Sequence, residues 1–218
     1  MFAWEDEMVE MTELSLQLDL EQVAKDVLRR SRGRVLPTGT PLGKHLRHVV
    51  QNVADLGKRI SLGPYPLKMA QAAAWWHEAG RLGADFEEVA NSTNEQVARF
   101  VALLTPDLRS PLIMRRTNYI KNLSCSPLIV QLIVWSDLQE NIQDWLAFLD
   151  RHPDRLESAR PHLQTIRAIW LTLPPTGPWG AELWVKVKDD WEKLAPYLKK
   201  PEVPFLRKTK NAKSTAKR

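Results

Sequence analysis

Cys125 is the only cysteine in the 218-residue chain, so no internal disulfide can form and stability has to come from packing. Long apolar runs are scarce as well. The longest, PLIVQLIVW at 127–135, falls far short of the roughly 20 residues that span a bilayer. No stretch alternates apolar and polar residues in the manner of half-buried strands. There is no internal repeat, no glycine-rich phosphate loop and no CxxC pair. The N-terminal MFAWEDEMVEM is acidic, where a signal peptide would be basic and then apolar. These absences exclude a disulfide scaffold and a helical membrane protein, and lead us to expect a cytoplasmic chain.

A hydrophobic fraction of 44% and a charged fraction of 26% are present, as in soluble globular domains. The length suits one domain, read here as residues 1–200, followed by a tail at 201–218. The net charge of +5 owes its sign to that tail. Six basic residues (Arg207, Lys208, Lys210, Lys213, Lys217, Arg218) fall in the last dozen positions with no acid among them, leaving about −1 for the rest. Such a tail is expected to be disordered and solvated, or to attract RNA, DNA or an acidic partner weakly and without specificity.

Proline and glycine punctuation divides the body into helices, so the fold class expected is all-α. A first amphipathic helix is predicted over about 8–31, ending at Ser31-Arg32-Gly33. A second starts near Pro41, where proline suits the first turn, and carries His45 and His48 one turn apart on one face. After Pro64 and Pro66 comes LKMAQAAAWWHEAG, nearly all apolar and expected to be the most buried element; His77 and Glu78 lie at its C-terminal end. Asp85 or the Asn91-Ser92-Thr93 cluster is placed to cap the next helix, NEQVARFVALL, which Thr105-Pro106-Asp107 ends. A basic helix around 115–123 leads into an apolar segment over 127–146 holding Asp137 and Asn141 on one face. Two more helices are predicted at about 153–172 and 180–199, with Trp170, Trp184 and Trp191 packing against the preceding ones.

Three of these segments carry the polar residues of greatest interest: RGRVLPTGTPLGKH (32–45), QAAAWWHEAG (71–80) and LIVWSDLQENI (132–142). Their order, a histidine, then a His-acid pair after a buried helix, then an aspartate in an apolar helix, resembles the HD-domain superfamily of metal-dependent phosphohydrolases. The flanks are similar to one branch, the hydrolase domain of RelA/SpoT alarmone enzymes and their small single-domain relatives. Arg34, Gly39-Thr40-Pro41 and His45 match that branch's opening motif without a gap, which favours His45 over His48. AAAWWHE matches its His-Asp helix with Glu78 for aspartate, and Ser136-Asp137 with Asn141 matches its Ala-Asp motif. The resemblance covers roughly residues 20–150, about 60% of the chain.

The resemblance implies a divalent ion, Mn²⁺ first and Fe²⁺ or Zn²⁺ next, held by His45, His77, Glu78 and Asp137, with Glu78 and Asp137 also serving catalysis. Two imidazoles and two carboxylates suit such an ion. Arg34, Lys44 and Asn141 would then hold a nucleotide or related phosphate ester, with Arg115, Arg116 or Lys121 as further cations. One departure stands out. Where the family has a Glu-Asp pair directly after His-Asp, this chain has Arg81 and Leu82; the nearest carboxylates are Asp85, Glu87 and Glu88. Two functions are therefore expected: a phosphohydrolase resembling guanosine-3′,5′-bis(diphosphate) 3′-pyrophosphohydrolase, or a degenerate relative that binds a nucleotide or partner without turnover.

Overall fold

The computed structural model describes residues 18–106, 112–173 and 180–198. Among them the expected all-α class is found, with no strand beyond a single bridge pairing Val35 with Pro41. The basic tail and the Trp184 side chain lie outside the described residues. No described helix is long and apolar enough to cross a membrane.

Helix α1 (Leu20–Arg30) begins where the Asp19 carboxylate accepts from the backbone N–H groups of Glu21 and Gln22 at 2.9 and 3.0 Å, satisfying donors that a first turn leaves open. The helix predicted over about 8–31 is corrected at Asp19, which is a cap rather than an interior residue; the part before residue 18 lies outside the described residues. After a loop in which Gly39 adopts φ +82°, a backbone conformation that favours glycine, α2 (Leu42–Arg59) runs along the core. A side chain at position 43 would meet Ser31 Oγ at 2.8 Å, so Gly43 lets α2 press against the end of α1.

Helix α3 (Pro64–Trp76) has proline in its first turn, and Ala70, Ala72, Ala73 and Ala74 are wholly buried. Their small side chains let α2, α6 and α8 pack against it. The predicted continuation through Glu78 to Gly80 is corrected. Helix α3 stops at Trp76, His77 is its C-cap, and Glu78 precedes the short α4 (Ala79–Leu82). The His77 ring donates to the Ala74 carbonyl at 2.7 Å, taking up an acceptor that a helix end leaves open.

A second correction concerns capping. Asp85 and Glu88 form a capping box for a separate helix, α5 (Phe86–Ser92), and Asn94, not the 91–93 cluster, caps α6 (Glu95–Leu104) by accepting from Val97 N–H at 2.9 Å. Only a residue immediately before the first turn has the extended backbone from which its side chain can reach that turn's donors.

Helix α7 (Leu112–Ser124) leads to α8 (Leu128–Arg151), the central element, which packs against α2, α3, α6, α9 (Leu156–Thr172) and α10 (Gly180–Leu198). Trp170 on α9 meets Trp135 of α8 edge-on at 5.5 Å and stacks on Trp191 of α10 at 4.7 Å. Both Trp170 and Trp191 thus pack as expected.

Leu132, on the buried face of α8, is 0% exposed. Leu132→Ala should lower unfolding free energy by about 2–5 kcal/mol, read from urea denaturation followed by circular dichroism. A loss under about 1 kcal/mol would mean α8 is not the core element described.

Candidate metal centre

Three elements converge on one carboxylate. His45 projects from α2, His77 from the end of α3 and Asp137 from α8, and one ligand atom from each lies within 4.8 Å of the other two. Asp137 Oδ1 is 3.0 Å from His45 Nε2 and 3.4 Å from His77 Nε2, and accepts from Asn141 Nδ2 at 2.8 Å. The Asn141 bond follows from sequence, since residues four apart on a helix are neighbours. His48, one turn beyond His45, faces elsewhere on α8: its Nδ1 lies 3.0 Å from Glu140, which also accepts from Asn52. His45 rather than His48 is thus the histidine beside Asp137.

The donor set suits a divalent ion. His77 commits its Nδ1 proton to Ala74, so the neutral ring would offer a lone pair at the buried Nε2, 3.4 Å from Asp137 Oδ1. His45 has carboxylates at both ring nitrogens, Asp137 at Nε2 and Asp144 Oδ2 at 3.5 Å from Nδ1. Asp144 is itself oriented by Thr40 Oγ1, which donates to it at 2.8 Å. A carboxylate behind a histidine fixes the tautomer that offers its other nitrogen to a metal. Two imidazole nitrogens and a carboxylate oxygen, all within 4.8 Å of one another, are the donor types that a borderline ion takes.

The electrostatics point the same way. Burial disfavours charge on His45, but hydrogen bonds that its ring donates to Asp137 and Asp144 and the charges of Asp137 and Glu78 overcome it, pushing its pKa up to about 10. His77 is raised as well: burial opposes the shift, while Asp137 and Glu78 outweigh both burial and His45. Asp137 moves down against its own burial because both histidines hold its charge. The buried carboxylate thus calls for positive charge at this point, which protons or a metal can supply.

Glu78 stands apart from the three. Its Oε2 is 2.7 Å from Arg81 Nε, so the residue in place of the family's acid holds the carboxylate that the resemblance assigns to the ion. Arg34 is spent on main chain, donating to the carbonyls of Arg30 and Arg81. With Lys44 it lines a separate groove between α1 and α2 rather than the space over the centre. Asp85 and Glu88 cap α5, and Glu88 pairs with Arg30 at 2.9 Å. The side chains of Arg115 and Arg116 lie outside the described residues.

Over the centre opens a cavity of about 700 Å³, with His77, Glu78, Arg81, Asp137 and Asn141 at one end. Its other walls are Tyr119 from α7, Ile133 and Trp145 from α8, and Pro161, His162, Thr165, Ile166 and Ile169 from α9. Burial, and after it the charges of Asp137 and Glu78, raise the Tyr119 pKa and keep its phenol neutral. Sequence reasoning missed Asp144, Tyr119, Trp145 and the whole α9 wall. For Asp144 a signal existed, because it follows Asp137 by two helical turns.

Comparison with solved structures finds a chain described as a metazoan ortholog of SpoT that hydrolyzes ppGpp and plays a role in starvation responses. The match has a TM-score of 0.59 and 19% sequence identity, and covers 80% of this chain and 94% of that one. The two share the all-helical HD-like fold that the sequence motifs led us to expect. No protein-family model and no curated protein matches the sequence.

The pKa directions fix the sign of a pH effect in metal-free protein. His45 is raised from 6.5 to about 10, so its contribution is full below about pH 6.5 and lost as pH rises through 10. Asp137 is lowered from 3.8, so its contribution is present above that value and lost on acidification. With chelator present, the melting temperature should fall from pH 6.5 to 10, and His45→Gln should flatten the slope. A wild-type profile matching that of the variant would refute the buried pair.

Proposed function

We propose that the chain is a metal-dependent phosphohydrolase acting on a nucleotide or related phosphate ester. The observation carrying this reading is the meeting of His45, His77 and Asp137, with His77 and Asp137 lining a cavity large enough for a small-molecule substrate and His45 buried behind them. The structural neighbour is described as hydrolyzing ppGpp; from it we take the reaction class as support, and not the substrate.

His45, His77 and Asp137 would hold the ion, Mn²⁺ before Fe²⁺ or Zn²⁺, with Glu78 able to join as a fourth ligand on leaving Arg81. When bound, such an ion supplies Lewis acidity and makes water nucleophilic near neutral pH. Asp144 keeps His45 in the tautomer that offers Nε2. Asn141 holds Asp137 Oδ1 in place, and Arg81 presents the cavity's guanidinium to a phosphoryl oxygen. In the reaction, the oxygen of water bonds to phosphorus as the ester P–O bond breaks. One proton of that water ends on the leaving alcohol, and the products are the alcohol and phosphate.

A second reading, binding without turnover, is favoured by the Glu78–Arg81 pair, which replaces a carboxylate beside the reacting water with a cation. Metal content and turnover separate the two. Purified protein should carry stoichiometric metal or gain melting temperature on adding Mn²⁺, and should release phosphate from at least one ester. His77→Ala should reduce turnover at least about 100-fold. Metal binding with no release from any ester would leave the binding role; activity persisting in His77→Ala would remove the assigned centre.

Asp144 provides a further check. Asp144→Asn should weaken Mn²⁺ affinity about 10–100-fold, measured by titration calorimetry, with the helical circular dichroism unchanged. Unaltered affinity would show that Asp144 does not orient His45.

A further inference from the structure

We infer that the cavity over the centre takes a phosphate monoester whose alcohol carries a flat or apolar group, in preference to a nucleotide bearing several phosphates. This rests on the hydrolase reading above and narrows its substrate.

Charge gives the first argument. Among the described residues that line the cavity, Arg81 is the sole lysine or arginine, and it is already paired with Glu78 at 2.7 Å. Of the cations that the motifs offered for phosphate binding, Arg34 and Lys44 line the groove between α1 and α2 instead, Lys121 is not among the residues lining the cavity, and the side chains of Arg115 and Arg116 lie outside the described residues. A monoester brings one phosphoryl group, and an ion at the centre together with Arg81 can match its charge. A nucleotide with two pyrophosphate groups brings several further negative oxygens. Among the described lining residues those would meet the Glu78 and Asp137 carboxylates, hydrocarbon, or uncharged groups such as Tyr119 and Thr165, with no second lysine or arginine to match them, and charge withdrawn from water without a partner is strongly unfavourable. Tyr119 does not alter the balance, because its phenol is held neutral and offers a hydrogen bond without charge.

Shape gives the second. Away from the centre the walls are Trp145, Ile133, Ile166 and Ile169, with Thr165 among them. Trp145 is a fixed wall. Its ring stacks on His162 at 5.1 Å with 27° between planes, and meets Phe148 edge-on at 5.4 Å. A ring held from two sides cannot turn aside to admit a hydrated phosphate, whereas a flat apolar group gains from lying along it. A polar anchor at one end and an apolar body are the usual arrangement of a small-molecule site. Here the apolar half comes largely from α9, which lies beyond the segment whose motifs resemble alarmone hydrolases.

The reaction follows with the same balance of atoms as above: water's oxygen replaces the ester oxygen on phosphorus, giving inorganic phosphate and the apolar alcohol.

Binding can be tested apart from turnover, with three probes that do not hydrolyse. Full-length protein, loaded with Mn²⁺ and freed of excess metal, is titrated by calorimetry with phenylphosphonate, methylphosphonate and methylenediphosphonate. Phenylphosphonate should bind on the order of tenfold tighter than methylphosphonate, and tighter than methylenediphosphonate. Trp145→Ala should remove that advantage while leaving methylphosphonate affinity unchanged. Since Trp145 is buried, Thr165→Arg at a partly exposed position serves as a second variant. It adds a cation to the apolar wall and should shift preference toward methylenediphosphonate by about tenfold. In turnover, phenyl phosphate should show a higher kcat/KM than guanosine-3′,5′-bis(diphosphate).

Equal affinity for the phenyl and methyl probes would overturn the apolar slot. Tightest binding of methylenediphosphonate by the unaltered protein, or preferred turnover of the bis(diphosphate), would overturn the charge argument while leaving the hydrolase reading intact. The expected order of probe affinities with no phosphate released from any ester would uphold the slot and sink the hydrolase reading.

Discussion

The Asp137 carboxylate is largely withdrawn from water, its side chain 23% exposed, and a negative charge so placed is tolerable only when positive charge or several donors are brought to it. That requirement explains why two imidazoles from separate elements meet on a single oxygen, with Asn141 donating to the same atom. It also accounts for the packing that delivers them. Helix α2 must lie against α8 in the register that sets His45 at Asp137 and His48 at Glu140, and α3 must end where His77 can turn inward. The Thr40–Asp144 bond, at the other edge of the same helix pair, completes a row of polar contacts. Apolar packing supplies most of the stability, but it tolerates sliding; discrete polar partners on α2 and α8 fix one arrangement.

Much of this was legible in the sequence, and for identifiable reasons. Helix ends were marked by Gly33, Pro41 and Pro64, because backbone constraints at these residues are local. The pairing of Asp137 with Asn141 followed from helical spacing alone. Caps were harder to place. Asp85, Ser92 and Asn94 are all capable residues, and only the path of the chain decides that Asp85 opens one helix and Asn94 another. The break between Trp76 and Ala79 was concealed because every residue there but Gly80 favours or tolerates helix, and the feature that ends α3 is a ring-to-carbonyl bond within it.

The residues that pattern reading placed least well are the long charged ones. Arg34 reaches two carbonyls that α1 and α4 leave open, an assignment depending on where two chain segments stop. Glu78 turns to Arg81 because the two lie three apart across the start of α4. The α9 wall was invisible for another reason. Its contribution is mostly apolar, and nothing in a sequence distinguishes an isoleucine that lines a cavity from one that fills a core.

The Glu78–Arg81 pair bears on how the centre can work. Both side chains are partly exposed, 23% for Glu78 and 48% for Arg81, and ion pairs in contact with water contribute about 0–1 kcal/mol. Glu78 is therefore held toward Arg81 by proximity more than by strength. A divalent ion between the two imidazoles would present a larger charge in a drier place, where attraction to a carboxylate is stronger. An incoming phosphoryl oxygen would compete for Arg81 from the other side. Both influences act in one direction, loosening the pair and giving each partner a better one. Arg81 would thus act twice, holding Glu78 while the cavity is empty and offering its guanidinium to an anion that enters.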